Sequence, residues 1–291
     1  KTAKEQVLYA ITSPFGVTGI NLRLNALFVS DSAKKLYIKS FVFIEAGDLK
    51  FSEPVDGKRT VAFDILAIGF GDNGTVADQI GQTFEVKVGE RAYAEIVKGG
   101  LVYDFVFPIK KPGAYQLRIA LRDHASEKLG AASQFIEVPD LKKNRLTLSG
   151  IVLENVEYDT WKKTQENGAA QANQAVGSNP IGNTARRQFK IGTVLNYGGE
   201  IFNSRMIKGK IENVSFRPRI FRDGKLVFEG APQPAIESAS KGSTRADYYG
   251  SLSLGSEMEP GDYVLQIVAV DEATNKKRRI ASQFVQFEII P

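Results

Sequence analysis

"KKPGAYQLRIALRD", residues 110–123, and "MEPGDYVLQIVAVD", residues 258–271, share one skeleton, Pro-Gly-x-Tyr-x-Leu-x-Ile-x-x-x-Asp. Each is followed by Ala-Ser-Gln-Phe, at 132–135 and at 281–284. In the first copy Tyr115, Leu117, Ile119 and Leu121 recur with period two and share one face of a strand, while Gln116, Arg118 and Arg122 take the other. The second copy repeats the inward set with Tyr263, Leu265 and Ile267. Pro112-Gly113 and Pro260-Gly261 read as a structural corner that turns the chain into the strand. A tyrosine two residues further on stands where immunoglobulin-like sandwiches carry the tyrosine corner, whose hydroxyl bonds back to the backbone of the turn. Asp123 and Asp271, at the end of each copy, read as turn caps. The Ala-Ser-Gln-Phe run that follows reads as a closing strand. The same closing pair, written twice, predicts two domains that end alike.

Outward from the first copy, runs of Val, Ile, Phe and Tyr at 20–29, 36–46, 60–70, 83–88, 101–107 and 132–138 are broken by turn residues. Asp56-Gly57 and Asn73-Gly74 are the sharpest turns, the latter read as a type I′ hairpin. Charge and proline interrupt the pattern at 139–145. A second series follows at 146–154, 188–196, 211–221, 225–229, 247–254, 262–270 and 281–290, with "RDGK" at 222–225 as a tight hairpin turn. The expected class is therefore all-β: two tandem immunoglobulin-like (fibronectin III-like) sandwiches with a short N-terminal helix. The spacing of Ala3, Val7, Leu8 and Ile11 supplies that helix. The expected boundaries are 1–15 for the lead-in, 16–140 for the first sandwich, 141–145 for a linker and 146–291 for the second sandwich. The polar stretch 157–186 reads as a long loop within the second domain.

A chain of 291 residues suits two domains better than one. Hydrophobic residues at 43% and charged residues at 24% match a globular protein rather than a disordered or fibrous one. No apolar run approaches the ~18 residues of a membrane span. The net charge of +5 is scattered, and only Lys276-Lys277-Arg278-Arg279 forms a block. It reads either as a contact with something anionic or as the solvated tip of a hairpin. Nucleic acid is not the expected partner. Cysteine is absent, which removes disulfides and thiolate metal sites. The chain starts at Lys1 without a methionine, and the expectation is a processed or excised piece whose targeting segment lies upstream.

Catalytic chemistry finds few residues to use. His124 is the one histidine, it follows Asp123 in a hairpin, and no G-x-S-x-G elbow accompanies it. It is weighed as a turn residue open to a partner rather than as a base. Asp72, Asn73 and Asp78 have the oxygen ligands calcium takes, without the loop spacing of an EF-hand, so a simple turn is the competing reading. No cofactor is expected, and the chain is read as a non-enzyme. Trp161, the single tryptophan, lies in the polar stretch beside Lys162 and Lys163, as a partner anchor or as a lid on its own sandwich.

"FGDNGTVADQI" at 70–80, the block at 110–153, "FRDGKLVFEG" at 221–230 and the run from Pro260 to Pro291 together resemble the C-terminal region of acidobacterial von Willebrand factor type A related proteins. The resemblance covers the chain from about residue 12 and implies an extracytoplasmic place, secreted, periplasmic or at the cell surface, with an interaction role. It does not bring the A-type domain with it. The nearest string to that domain's D-x-S-x-S adhesion motif, Asp31-Ser32-Ala33-Lys34-Lys35, does not match it. The function expected is a non-catalytic adhesion or scaffolding module that meets a protein or glycan. Its alternative is a structural subunit, a homo-oligomer assembling through edge strands and the N-terminal segment.

Overall fold

The computed structural model describes residues 2–13, 16–31, 35–166, 180–237, 244–273 and 279–291. The chain divides into two units, Lys1–Val138 and Pro139–Pro291. It is mostly β-sheet, in four sheets, with a short N-terminal helix.

The first unit runs α1 (Ala3–Thr12), β1 (Leu22–Ser30), β2 (Leu36–Ile44), β3 (Lys58–Gly71), β4 (Val76–Gly89), α2 (Glu90–Gly99), β5 (Leu101–Ile109), β6 (Gly113–Asp123) and β7 (Leu129–Val138). One sheet has the order β1-β2-β5 and the other β4-β3-β6-β7. Their inner faces meet through aromatic rings, as where Phe84 of β4 packs edge-on against Tyr103 of β5 at 5.0 Å. On β3 the buried residues Val61, Phe63, Ile65 and Ala67 alternate with outward ones, the pattern of a strand with a core on one side.

The second unit runs β8 (Thr147–Leu148), β9 (Val152–Glu157), α3 (Tyr158–Glu166), α4 (Pro180–Arg186), β10 (Gln188–Lys190), β11 (Thr193–Phe202), β12 (Val214–Arg222), β13 (Lys225–Glu229), β14 (Gln233–Pro234), β15 (Ile236–Glu237), β16 (Ala246–Ser253), β17 (Gly261–Asp271) and β18 (Ile280–Ile290). One sheet is β10-β18-β17-β12-β13, with β14 also on β12; the other is β15-β16-β11-β8, with β9 also on β11. A single core joins them, including Leu153, Leu195, Tyr197 and Tyr248 from one sheet and Phe216, Leu265, Ile267 and Phe287 from the other. Tyr197 lies opposite Gly250, and Gly199 opposite Tyr248. Each ring fills the space its glycine leaves, and a Cβ at either glycine would collide with the facing hydroxyl.

The repeated stretch builds the same corner twice. The Tyr115 hydroxyl donates to Lys111 O at 2.6 Å, and the Tyr263 hydroxyl donates to Glu259 O at 2.8 Å. The aspartates at the far end are fully buried, at 0% exposure for Asp123 and 1% for Asp271. Each caps its own turn, Asp123 accepting from Ser126 N at 3.2 Å and Asp271 from Ala273 N at 2.9 Å. Each also accepts from a distant backbone N–H, Lys50 at 3.0 Å and Arg205 at 2.8 Å. A buried carboxylate is tolerated because these donors replace water. The Ala-Ser-Gln-Phe runs do not superpose. Gln134 lies opposite Leu117, but Gln283 lies opposite Ile267, one inward position further along. A slip of two residues keeps every side chain on its face, so the sequence repeat survives it.

Several expectations are corrected. Gln116, Arg118 and Arg122 were placed on an open face, yet α1 covers part of that face. Its capping box, Glu5 N to Thr2 Oγ1 at 3.3 Å and Thr2 N to Glu5 Oε2 at 2.8 Å, starts the helix. Val7, Ala10 and Ile11 then pack on Ile68 of β3 and Ala120 of β6. Arg118 donates to Ile11 O at 3.1 Å, and the buried Arg122 donates to Gln6 Oε1 at 2.6 Å. Period two tells which side a residue takes, not what lies there. The stretch 157–186 was read as one loop, but α3 continues directly from β9 and α4 returns to pack on it. Thr184 of α4, buried, accepts from Leu153 N at 3.1 Å and donates to Leu153 O at 2.9 Å. Helix α2 went unread although Tyr93, Ile96 and Val97 share one half-buried face, because it is only ten residues long and runs straight on from β4. The linker 141–145 is instead tied to the second unit, where Asn203 Nδ2 donates to Leu141 O at 3.0 Å and Arg145 O at 3.1 Å. At Asn73-Gly74 only Gly74 has positive φ, 73°, whereas a type I′ turn needs two such residues. Gly74 N donates to Gly71 O and Gly71 N to Thr75 O, each at 2.9 Å, which makes a three-residue loop. Asp56-Gly57 and Asp223-Gly224 do have two positive φ angles each.

Candidate interaction face

The outer face of β9, β11 and β16 gathers the polar and aromatic groups of the second unit. Register fixes its rows: Glu154, Asn196 and Ser251 lie side by side, Val152, Gly198 and Tyr249 form the next row, and Glu200 faces Asp247 beyond it. The first row is a hydrogen-bonded chain. Ser251 Oγ donates to Asn196 Oδ1 at 2.7 Å, and Asn196 Nδ2 donates to Glu154 Oε2 at 3.3 Å.

Trp161 ends that chain. Because α3 follows β9 without a loop, its first turn folds back over the sheet, and the indole Nε1 donates to Ser251 Oγ at 3.2 Å. Tyr158, one helical turn earlier, places its ring 5.9 Å from the indole at 35°. Of the two readings of Trp161, the geometry is that of a side chain laid on its own sheet, half-buried, with its ring still reachable beside the exposed Tyr158. Lys162 and Lys163 are exposed next to it. Tyr249, 64% exposed, belongs to the same face, and Gly198 puts no side chain between it and Val152.

The face is acidic. Burial raises the Glu200 carboxyl above the usual range, against the opposing pull of Arg245, and Asp247 adds to the rise. Burial raises Asp247 likewise, again opposed by Arg245. Arg245 Nη1 stands 3.6 Å from Glu200 Oε1, and its guanidinium lies over the Phe202 ring at 5.1 Å. Beneath the face, burial pushes the Tyr197 hydroxyl up to about 12, so it stays neutral.

The other sequence candidates lie elsewhere. His124 Nε2 sits 3.0 Å from Asp64 Oδ2 on the first unit, and Thr83 Oγ1 donates to Asp64 Oδ1 at 2.6 Å. Asn73 uses its Oδ1 on Thr75 N and Thr75 Oγ1, at 3.1 and 2.7 Å, and Asp78 Oδ1 accepts from Gln79 N at 2.9 Å. Among the described residues no group of three or more His, Cys, Asp or Glu is placed to hold a metal ion. Arg279 pairs with Glu272 at 3.1 Å, while Lys276, Lys277 and Arg278 lie outside the described residues. No described helix is long and apolar enough to cross a membrane. Pattern reading missed Glu154, Asn196, Tyr249 and Ser251, because only strand register brings them beside Trp161.

No protein-family model matches the chain, and no curated protein does. Among solved structures it is similar to Bacteroides uniformis β-glucuronidase at 16% identity, covering 40% of this chain and 13% of that one, with a TM-score of 0.24. Parabacteroides merdae β-glucuronidase gives 10%, 88%, 28% and 0.28 in the same order. Red sea bream transglutaminase gives 9%, 94%, 32% and 0.25. The chain spans about a third or less of the length of each.

Proposed function

We propose that the chain is a non-catalytic interaction module of an exported protein, built from two fibronectin III-like sandwiches, that meets its partner through the outer face of β9, β11 and β16. The sandwich reading rests on strand order. In each unit the strand that follows the corner strand's inner partner, β4 after β3 and β13 after β12, joins the sheet of the corner strand rather than the opposite sheet, unlike a constant-type immunoglobulin domain. The extracytoplasmic, cell-surface setting follows from the resemblance to the acidobacterial proteins.

One observation carries the choice of face: Trp161 is held by its N–H on a polar row while Tyr158 and Tyr249 stay exposed around it. Rigid aromatic anchors beside satisfied polar groups give contact area at low entropic cost. Glu200 and Asp247 at one end favour a neutral or basic surface there, on a protein or a neutral glycan. Trp161 is the only tryptophan, so its emission reports this face alone. Titration against an array of neutral glycans and basic protein ligands is expected to shift that emission for whatever binds. Trp161→Ala or Tyr249→Ala then weakens binding by about tenfold or more. A ligand that binds tightly with emission unchanged, and survives both substitutions, moves the function off this face.

A further inference from the structure

The free edges of the sheets are treated unequally. Edge β1 is closed by Gln134 of β7, whose amide accepts from Ala26 N at 2.9 Å and donates to Ala26 O at 3.0 Å. Edge β9 is closed in the same way by Thr184. Edge β13 has five residues and a register shift against β12. These are the usual ways to keep an edge from pairing. Edge β4 is different: it is 14 residues long, has no proline, and pairs only with β3.

Which of its groups point outward can be worked out. On β3, Thr60 O accepts from Ser52 N and Ala62 O from His124 N, so even residues there turn away from β4. Odd residues Val61 and Phe63 therefore bond to their partners Val86 and Phe84. That leaves the N–H and C=O of Gly81, Thr83, Glu85 and Lys87 on the open edge, without a partner among the described residues. Gln79 N fits the same parity, since it bonds only to the side chain of Asp78.

We propose that this edge pairs with the same edge of a second copy of the chain, antiparallel about Val86, joining two four-stranded sheets into one of eight. The pleat allows only registers in which residues of like parity face each other. Among these, the one centred on Val86 sets Glu85 opposite Lys87 of the partner subunit and Lys87 opposite the partner's Glu85. No other allowed register pairs opposite charges along this strand. Glu85 and Lys87 are exposed and make no ion pair among the described residues. On the inner face the same register pairs Phe84 with the partner's Val88 and Val86 with the partner's Val86. A lone edge lysine blocks pairing; a glutamate two residues away makes the block selective for the chain's own copy.

The test uses the full chain, which has no cysteine of its own. Val86 meets its copy as a non-hydrogen-bonded pair, with Cα atoms about 4.5 Å apart, inside disulfide range. Val86→Cys is expected to give an oxidised dimer readily, and Val76→Cys, exposed at the far end of β4, is not. Light scattering is expected to show twice the 31.9 kDa chain mass. Glu85→Lys or Lys87→Glu alone weakens the dimer about tenfold, and the double swap restores it. A wild-type monomer at every concentration, equal cross-linking at the two cysteines, or a double swap no better than the single ones overturns the proposal. None of these outcomes bears on the Trp161 face, whose readout is separate.

Discussion

The two units carry the same corner, the same buried aspartate and a closing strand on the same side of the corner strand, and differ in what covers the outer face of the corner sheet. Ala120 and Val268 stand at matching places, five residues after Tyr115 and Tyr263. Opposite Ala120 lies Leu66, followed two residues on by Ile68, and helix α1 covers them. Opposite Val268 lies Arg217, followed two residues on by Arg219. Both arginines reach Glu229 Oε1, at 2.7 and 3.2 Å. Val268 is buried there as Ala120 is, beside the two arginines. A half-apolar outer face is thus met in two ways, by a docked helix in one unit and by a pair of arginines held on Glu229 in the other.

The largest break in the comparison is removal of α1. Deleting residues 1–13 uncovers Ile68, Ala120, Leu66 and Phe70 and loses the burial of Val7 and Ile11. A loss of about 3–6 kcal/mol is expected in the first unit alone. The single histidine and the single tryptophan make this measurable, since His124 belongs to the first unit and Trp161 to the second. In a urea titration followed by NMR, the His124 ring signals should move to lower urea while the Trp161 indole signal stays in place. A matching shift of both would mean that α1 supports more than its own face.

The buried aspartates come next, because each ties a turn to a distant segment. Asp123→Ala leaves Lys50 N and Ser126 N without their acceptor, and Asp271→Ala leaves Arg205 N and Ala273 N. About 2–4 kcal/mol is expected from each, confined to its own unit and read with the same two signals. A much smaller loss at Asp271 than at Asp123 would mean that the repeat is one of sequence more than of energetics.

What the sequence made legible follows from these same residues. Strands were readable wherever one side is buried, as at 114–122 and 262–270, because alternation records burial directly. The pattern could not separate an outer face under a helix from one under water, so the face of Arg118 and Arg122 was legible and their contact with α1 was not. Trp161 stood out by its rarity, but its companions Asn196 and Ser251 are ordinary polar residues 35 and 90 positions away in the chain. Only pairing of β9, β11 and β16 makes them a site. Helix α2, whose Tyr93 packs on Phe51 at 5.0 Å and under Arg59 at 4.7 Å, carries its half-buried stripe in ten residues that follow β4 directly, too short a window for the period to stand out.

The smallest effect separates the units by pH, and it has opposite signs in the two. In the first unit burial alone would raise the Asp64 carboxyl, but hydrogen bonds from Thr83 and His124, with the charges of His124 and Arg122, outweigh it and hold it below its usual value. Its contribution is present above the unfolded carboxyl value of about 4 and is lost as pH falls through the lower folded value. In the second unit Glu200 and Asp247 are raised, chiefly by burial. Their contribution is complete below about 4 and is lost as pH rises through the higher folded values. From pH 7 down to about 4.5 the Trp161 midpoint in urea should therefore rise relative to the His124 midpoint. Glu200→Gln flattens that rise, because the variant has no proton to take up, and Asp64→Asn instead alters only the His124 curve below about pH 4. A rise that persists unchanged in Glu200→Gln would assign the pH response to other carboxyls and leave the acidic end of the Trp161 face electrostatically inert.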